Sequence, residues 1–276
     1  MIEFKQFTKR YNNFKAVNRL DLKINEKEIV GFVGKNGAGK STTIRAMLNL
    51  IHPTSGKILI NGYDSVDDAS KINNMISYVP SEPSYYNGLT GYDVLSLNCN
   101  LSNTSYDSMY RLAEYFELDL KKPIDSLSLG NRKKVAIINA FLSKTPIILL
   151  DEPTSGLDPL IQSKFFDLLL DVRNDGRTIF LSSHNLQEIE KYCDKVAIIK
   201  EGKLVNYLDM NNIRNNRPLI LSCTLKDGRV VNQVVKDDIN ILISKLSKLD
   251  LIKLEIKYKT VEEEFMHYYK GDSNHE

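Results

Sequence analysis

The sequence predicts an α/β fold built on a parallel sheet, and three observations predict it. Short aliphatic runs of strand length at 29–33, 147–150, 178–182 and 195–199 recur between segments of helical character at 160–173 and 185–192. Strands that alternate with helices in this way form parallel sheets covered on both faces. Near the N-terminal end apolar residues instead alternate at period two, as in Leu20, Leu22 and Ile24, which predicts antiparallel strands there. From about 82 to 144 apolar positions such as Leu112, Tyr115 and Phe116 recur at helical spacing, which predicts a mostly helical insertion.

Taken in order, Ile2, Phe4 and Phe7 begin the strand region, and the buried run 29–33 leads into a Gly-rich loop. Ile44, Met47, Leu48 and Ile51 then mark a helix, 52–56 (HisProThrSerGly) a turn, and 57–60 and 76–79 short strands. Beyond about 206 the pattern changes. Two β-rich runs, 219–225 and 229–235, are joined by LysAspGly and read as a hairpin. An amphipathic helix is expected over 239–249, a strand over 251–258 and a short helix over 261–269. The expected organisation is one domain over 1–205, with its helical insertion, and a small α+β extension over 206–276.

Composition narrows the functional classes. The 276 residues are 42% apolar and 26% charged, which is ordinary globular composition and excludes a disordered chain. Lys+Arg (37) nearly balances Asp+Glu (35), so the basic excess of a nucleic-acid binder is missing and no nucleic-acid partner is expected. Cys99, Cys193 and Cys223 are far apart in the chain, against a disulfide framework or a zinc site and in keeping with a reducing compartment. The opening run MIEFKQFTKR lacks the apolar stretch of a signal peptide, and no aliphatic run is long enough to span a bilayer. Any membrane role is therefore expected to come through a partner.

The strongest local signal is Gly34-Lys35-Asn36-Gly37-Ala38-Gly39-Lys40-Ser41-Thr42, placed after a buried strand and before a helix. That is the phosphate-binding P-loop in its required context, and it makes the expected core a P-loop NTPase. Glycines let backbone N–H groups converge on phosphate oxygens, and the helix N-terminus adds partial positive charge. Lys40 would reach the β- and γ-phosphates of a nucleotide, and Ser41 would ligate Mg²⁺. The second signal is the run 147–150 followed by Asp151 and Glu152. A carboxylate at the C-terminal end of a parallel strand sits where such sheets bind ligands. Asp151 would join the Mg²⁺ shell, and Glu152 would polarise an attacking water.

Further residues fall into a series. Ser128-Leu129-Gly130-Asn131, whose glycine lies 21 residues before Asp151 (151 − 130), resembles the signature motif of the ATP-binding-cassette ATPases. Ser155-Gly156-Leu157-Asp158 resembles that family's D-loop, His184 its switch histidine, and Tyr11 the aromatic that stacks on adenine. The resemblance runs over residues 1 to about 205. It implies ATP and Mg²⁺ as cofactors, and two cassettes that sandwich two ATP molecules head to tail, each nucleotide site being completed by the partner's signature segment. The nucleotide contacts it implies are Tyr11, Gly34, Asn36, Gly37, Gly39, Lys40, Ser41 and Thr42, with Ser128, Gly130 and Asp158 facing the partner. The catalytic set it implies is Glu152, His184 and Lys40, and the expected metal ligands are Ser41 and Asp151.

Departures from the family pattern are visible. Leu129 and Asn131 replace the first glycine and the glutamine of the signature, and Ser81 stands where the family carries a glutamine near the metal. Glu82 is the nearest substitute, and slow or partner-dependent hydrolysis is expected. The tail resembles the extension of exporter ATPases for antibiotics, bacteriocins and amphipathic peptides, with KTVEEEF at 259–265 as its closing motif. The implied role is the ATP-hydrolysing subunit of an export complex, at the cytoplasmic face of the membrane, working with a separate permease and a second cassette. Tyr85 and Tyr86 are expected to meet that permease rather than the chain's own core. Two alternatives stay open: a soluble cassette ATPase acting on nucleic acid or ribosomes, and a degenerate regulatory subunit of a heterodimer. Only 90 residues (130 − 40) separate Lys40 from Gly130, which leaves no room for the long coiled coil of the chromosome-maintenance members.

Overall fold

A computed structural model describes residues 1–235, 243, 244, 246, 247 and 250–260. They divide into two compact units, Met1–Leu208 and Asp209–Glu276, the second described in part. In the first unit, β1 (Ile2–Tyr11), β2 (Phe14–Ile24) and β3 (Ile29–Val33) are followed by α1 (Lys40–Met47), β4 (Ser55–Ile60), β5 (Tyr63–Asp64), α2 (Ala69–Asn73) and β6 (Ile76–Val79). The helical insertion comprises α3 (Gly91–Ser102), α4 (Tyr106–Tyr115), a 3-10 turn at Ile124–Ser126 and α5 (Leu129–Leu142). Then come β7 (Ile147–Asp151), α6 (Pro159–Asn174), β8 (Thr178–Ser183), α7 (Leu186–Tyr192), β9 (Lys195–Lys200) and β10 (Lys203–Asp209).

Two sheets result. The first has the order β2-β1-β4-β5 with antiparallel neighbours, as the period-two pattern predicts. The second has the order β10-β9-β3-β8-β7-β6, and β9, β3, β8, β7 and β6 pair in parallel. Its central strands β3, β7 and β8 are buried at every position, which is why they read as continuous apolar runs. One core joins the sheets: Phe4 and Phe7 of β1, Phe32 of β3, Phe180 of β8 and Ile44 and Met47 of α1 are all buried within it. The Phe32 and Phe180 rings lie 5.1 Å apart. The order of the parallel strands brings the C-terminal ends of β3, β7 and β8 side by side, where the P-loop, Asp151–Glu152 and His184 emerge.

Several expectations need correction. The helix after the P-loop starts at Lys40 and ends at Met47, so two of its expected apolar markers, Leu48 and Ile51, lie beyond it. Helix α5 begins at Leu129, because Ser128 is extended and its hydroxyl accepts from Asn131 N, a side-chain N-cap. Strand β5 and helix α2 lie outside the expected elements; at two and five residues they are too short to show a period. Tyr85 does not face outward with its neighbour. Its hydroxyl donates to Arg132 O on α5 (3.3 Å), and burial raises its pKa well above the usual phenol range, whereas Tyr86 is 86% exposed.

In the second unit, α8 (Met210–Asn215) precedes β11 (Leu219–Leu225), β12 (Val230–Val235) and β13 (Leu251–Tyr258). They form an antiparallel sheet of order β12-β11-β13, which contains the expected hairpin. Leu221, Cys223 and Leu246 form its buried cluster. Of the helix expected over 239–249, residues 243, 244 and 246 are helical and the remainder falls largely outside the described residues, as does all of 261–269.

Candidate active site

The loop between β3 and α1 has a backbone only glycine supports at two points. Gly39 has φ 109°, in the left-handed region, and a Cβ there would lie 2.4 Å from Ala16 O. A Cβ on Gly34 would lie 2.5 Å from Ile199 O. The loop hands the chain to α1, whose first N–H groups have no intrahelical acceptors and form an anion-binding end. Lys40, only 5% exposed, donates from Nζ to Gly34 O at 2.7 Å. The same ammonium lies 3.3 Å from Glu152 Oε1.

Parallel pairing of β7 with β8 sets Asp151 beside Ser182. Asp151 is fully buried, and its Oδ1 accepts from Ser182 Oγ (2.7 Å) and Ser41 Oγ (3.1 Å). Its Oδ2 is buried with no hydrogen-bond partner among the described residues. An orphaned carboxylate oxygen beside a serine hydroxyl suits a hard divalent cation that takes oxygen ligands, so Asp151 and Ser41 fit Mg²⁺.

Glu152 leaves the strand in the left-handed region with φ 47°, strained for a residue with a side chain. Ser182 accepts its N–H, at Oγ (3.0 Å) and at the backbone oxygen (3.2 Å). Its two carboxylate oxygens are shared between two cations or donors: Oε1 meets Lys40 and Oε2 meets His184 Nδ1 at 3.2 Å. A cavity of 450 Å³ opens here, with Asn36, Gly37, Gly39, Lys40, Ser41, Thr42 and Glu152 in its wall and Ser81 and Glu82 beside them. Tyr11 and Phe14, paired across the β1–β2 hairpin and both exposed, line it too.

The structure thus brings Tyr11, the P-loop residues, Asp151, Glu152 and His184 together. It does not bring Ser128, Gly130 or Asp158 into the cavity wall. Ser128 caps α5, and Asp158 caps α6 by accepting from Ile161 N at 3.0 Å. Four participants escape a reading of the sequence: Phe14, Ser182, Lys133 and Glu188. Lys133 is fully buried and donates from Nζ to Glu152 O (2.7 Å) and Ser155 O (2.9 Å). Glu188 Oε2 accepts from Thr154 Oγ1 (3.1 Å) and Ser183 Oγ (3.2 Å), and burial raises its pKa. A charged residue on a helix reads as solvated surface, and only the pairing of β7 with β8 exposes Ser182.

A family model described as ABC transporter matches residues 17–155. An uncharacterized ABC transporter ATP-binding protein of Methanocaldococcus jannaschii is 31% identical over 263 residues, 93% of this chain and 95% of the relative. The bacitracin transport ATP-binding protein BcrA of Bacillus licheniformis is 34% identical over 232 residues, 82% of this chain and 76% of the relative. Among solved structures, the ATP-binding subunit of an ABC transporter superposes with a TM-score of 0.71 at 28% identity, covering 90% of this chain and 99% of that one. A dimeric bacterial ABC transporter cassette superposes with a TM-score of 0.69 at 25% identity, covering 76% and 99%.

Proposed function

Because this chain belongs to the ABC transporter family, whose cassettes bind and hydrolyse ATP with Mg²⁺, we propose that it drives an export complex for peptides or antibiotics. It would sit at the cytoplasmic face of the membrane, attached through a separate permease. The observation that carries the catalytic part is the link from Lys40 through Glu152 to His184 beside the P-loop. Lys40 holds Glu152 in this arrangement, and a nucleotide phosphate in the loop competes for the same ammonium. Exchange of that partner frees the Glu152 carboxylate to orient a water molecule for attack on the γ-phosphorus. His184, on the other carboxylate oxygen, fixes the direction of that base. Bound at Asp151 and Ser41, Mg²⁺ would draw charge from the phosphate oxygens.

The α5 N-terminus, with Ser128 and Gly130, is a second anion-binding end that lies outside this cavity. Its natural use is the nucleotide of a second cassette, whether a copy of this chain or a related one. For permease contact we favour a groove of 340 Å³ between α3, α5 and β6, where Leu97 and Leu101 are 59% and 79% exposed. None of Ser81–Thr90 lines it, and its mixed wall, with Asn98, Asn139 and Ser143 beside the two leucines, would suit a short amphipathic helix. Among the described residues no helix is long and apolar enough to cross a membrane. On this reading a separate permease supplies the path. The cargo class rests on similarity to the bacitracin transport proteins of Bacillus licheniformis and Enterococcus faecalis.

The test is purification of the tagged chain from detergent-solubilised membranes of its own host. A polytopic membrane protein should co-purify, and vesicles holding the pair should move a peptide antibiotic only with ATP. Recovery with ribosomes or nucleic acid, and no membrane partner, would overturn the reading.

A further inference from the structure

The segment after β7 is a tight turn: Ser155 N donates to Glu152 O at 3.3 Å. Lys133 reaches both ends of it, donating to the carbonyl oxygens of Glu152 and Ser155. The two carbonyls are the hydrogen-bond acceptors of this buried ammonium, and the nearby Glu152 and Asp151 carboxylates add attraction without an ion-pair contact, so both offset its desolvation. Lys133 belongs to the first turns of α5, close to Gly130. Gly130 itself is pressed on the same segment, since a Cβ there would lie 2.7 Å from Gly156 O. The α5 N-terminus is therefore fastened to residues 152–156 at two places. One of the fastened residues, Glu152, is in the strained left-handed conformation, which persists only where the surroundings hold it.

We propose that Lys133 is a positioning residue for hydrolysis. It holds the backbone of Glu152 in its left-handed conformation and ties it to the helix end that carries Ser128 and Gly130. The inference rests on the paired-cassette reading above. The tie links the hydrolytic base that one cassette uses with the segment that the same cassette offers to its partner. Loss of nucleotide in one site would thereby be felt at the other, with Lys133 supplying the hydrogen-bonded part of the tie.

Lys133→Met in the full chain removes both donors and keeps the aliphatic stem. Its kcat should fall about tenfold or more with the KM for ATP changed less than about twofold, as expected when a base is misplaced and ground-state binding is not. Lys133→Arg should regain at least about a third of the lost rate, because it restores donors to the carbonyls. Introduced into a Glu152→Gln chain, Lys133→Met should weaken ATP-dependent pairing about fivefold by light scattering. An unchanged kcat, a loss carried wholly by KM, or an Arg variant no better than Met would overturn the positioning role. Unchanged pairing would overturn the link to the partner-facing segment. If the Met chain does not fold, Lys133→Gln, which keeps a polar end in the same space, is read by the same kcat and KM criteria. A Glu152→Gln chain that never pairs with ATP would sink the paired-cassette reading instead, leaving the kcat test of Lys133 standing.

Discussion

Two helix N-termini in this chain offer N–H groups that anions favour, and their surroundings differ. The end of α1 borders the cavity: the glycine loop precedes it, Lys40 is buried beside it, Glu152 lines the same wall and Ser41 donates to Asp151 behind it. The end of α5 has the same backbone electrostatics but no wall. Leu129 is 42% exposed, and Ser128 Oγ is occupied by Asn131 N. Local sequence creates the attraction to phosphate at both. Only at α1 does the sheet deliver carboxylates, Asp151 at the end of β7 and Glu152 just after it. On the paired-cassette reading proposed above, one is a whole site and the other is half of one, which a second molecule would complete.

Removing the base from the complete site tests this contrast most severely. Glu152→Gln should lower turnover by about 10² or more while ATP affinity stays near wild type. Paired chains should then accumulate with ATP, visible by size-exclusion chromatography. Lys40→Ala should instead weaken nucleotide binding in direct titration. Phosphate release near the wild-type rate in Glu152→Gln would remove Glu152 from the catalytic role.

The half-site is probed by Gly130→Ala. The added methyl would meet Gly156 O, a backbone atom that yields only if the 152–156 turn shifts. Stability should fall by about 1–3 kcal/mol, the usual range for overpacking. Turnover should fall about tenfold, since the same turn carries Glu152. Monomer affinity for ATP should hold within about twofold, because the α1 site is untouched. A large loss of monomer affinity would mean the two helix ends are not separate.

Much of the fold and of the complete site is legible in the residue pattern alone. Strand and helix order, the P-loop, Asp151 and Glu152 follow from short-range pattern, because each is set by neighbours in sequence, and the alternation of strands with helices implies the parallel sheet. What escapes that pattern depends on distant pairing. Ser182 matters only because β8 runs beside β7, and Lys133 only because α5 is laid against the turn after β7. Tyr85 and Tyr86 are adjacent and chemically identical, yet one packs under α5 and the other is bare. No periodicity separates them in a loop.

Glu188 gives the smallest expected effect and separates scaffold from chemistry around the complete site. Burial holds its carboxyl above the ordinary value of 4.5, opposed in part by hydrogen bonds from Thr154 and Ser183. In the unfolded chain the group ionises first. Below that unfolded value both states are protonated and there is no penalty. As pH rises through the unfolded and then the folded value, the fold must carry a charge it disfavours, so wild-type stability declines across that window. Gln in its place still accepts from Thr154 and Ser183 but never ionises. Glu188→Gln should therefore melt about 2–4 °C above wild type at pH 8 by circular dichroism, with the gap closing toward pH 4. ATP turnover should change less than about threefold, because Glu188 holds Thr154 and Ser183 and not the base itself. A gap independent of pH would mean the amide fits better for packing reasons alone. A gap of opposite sign would mean that the hydroxyls stabilise the ionised carboxylate more than water does, which would make Glu188 an anionic anchor of the His184 side of the site.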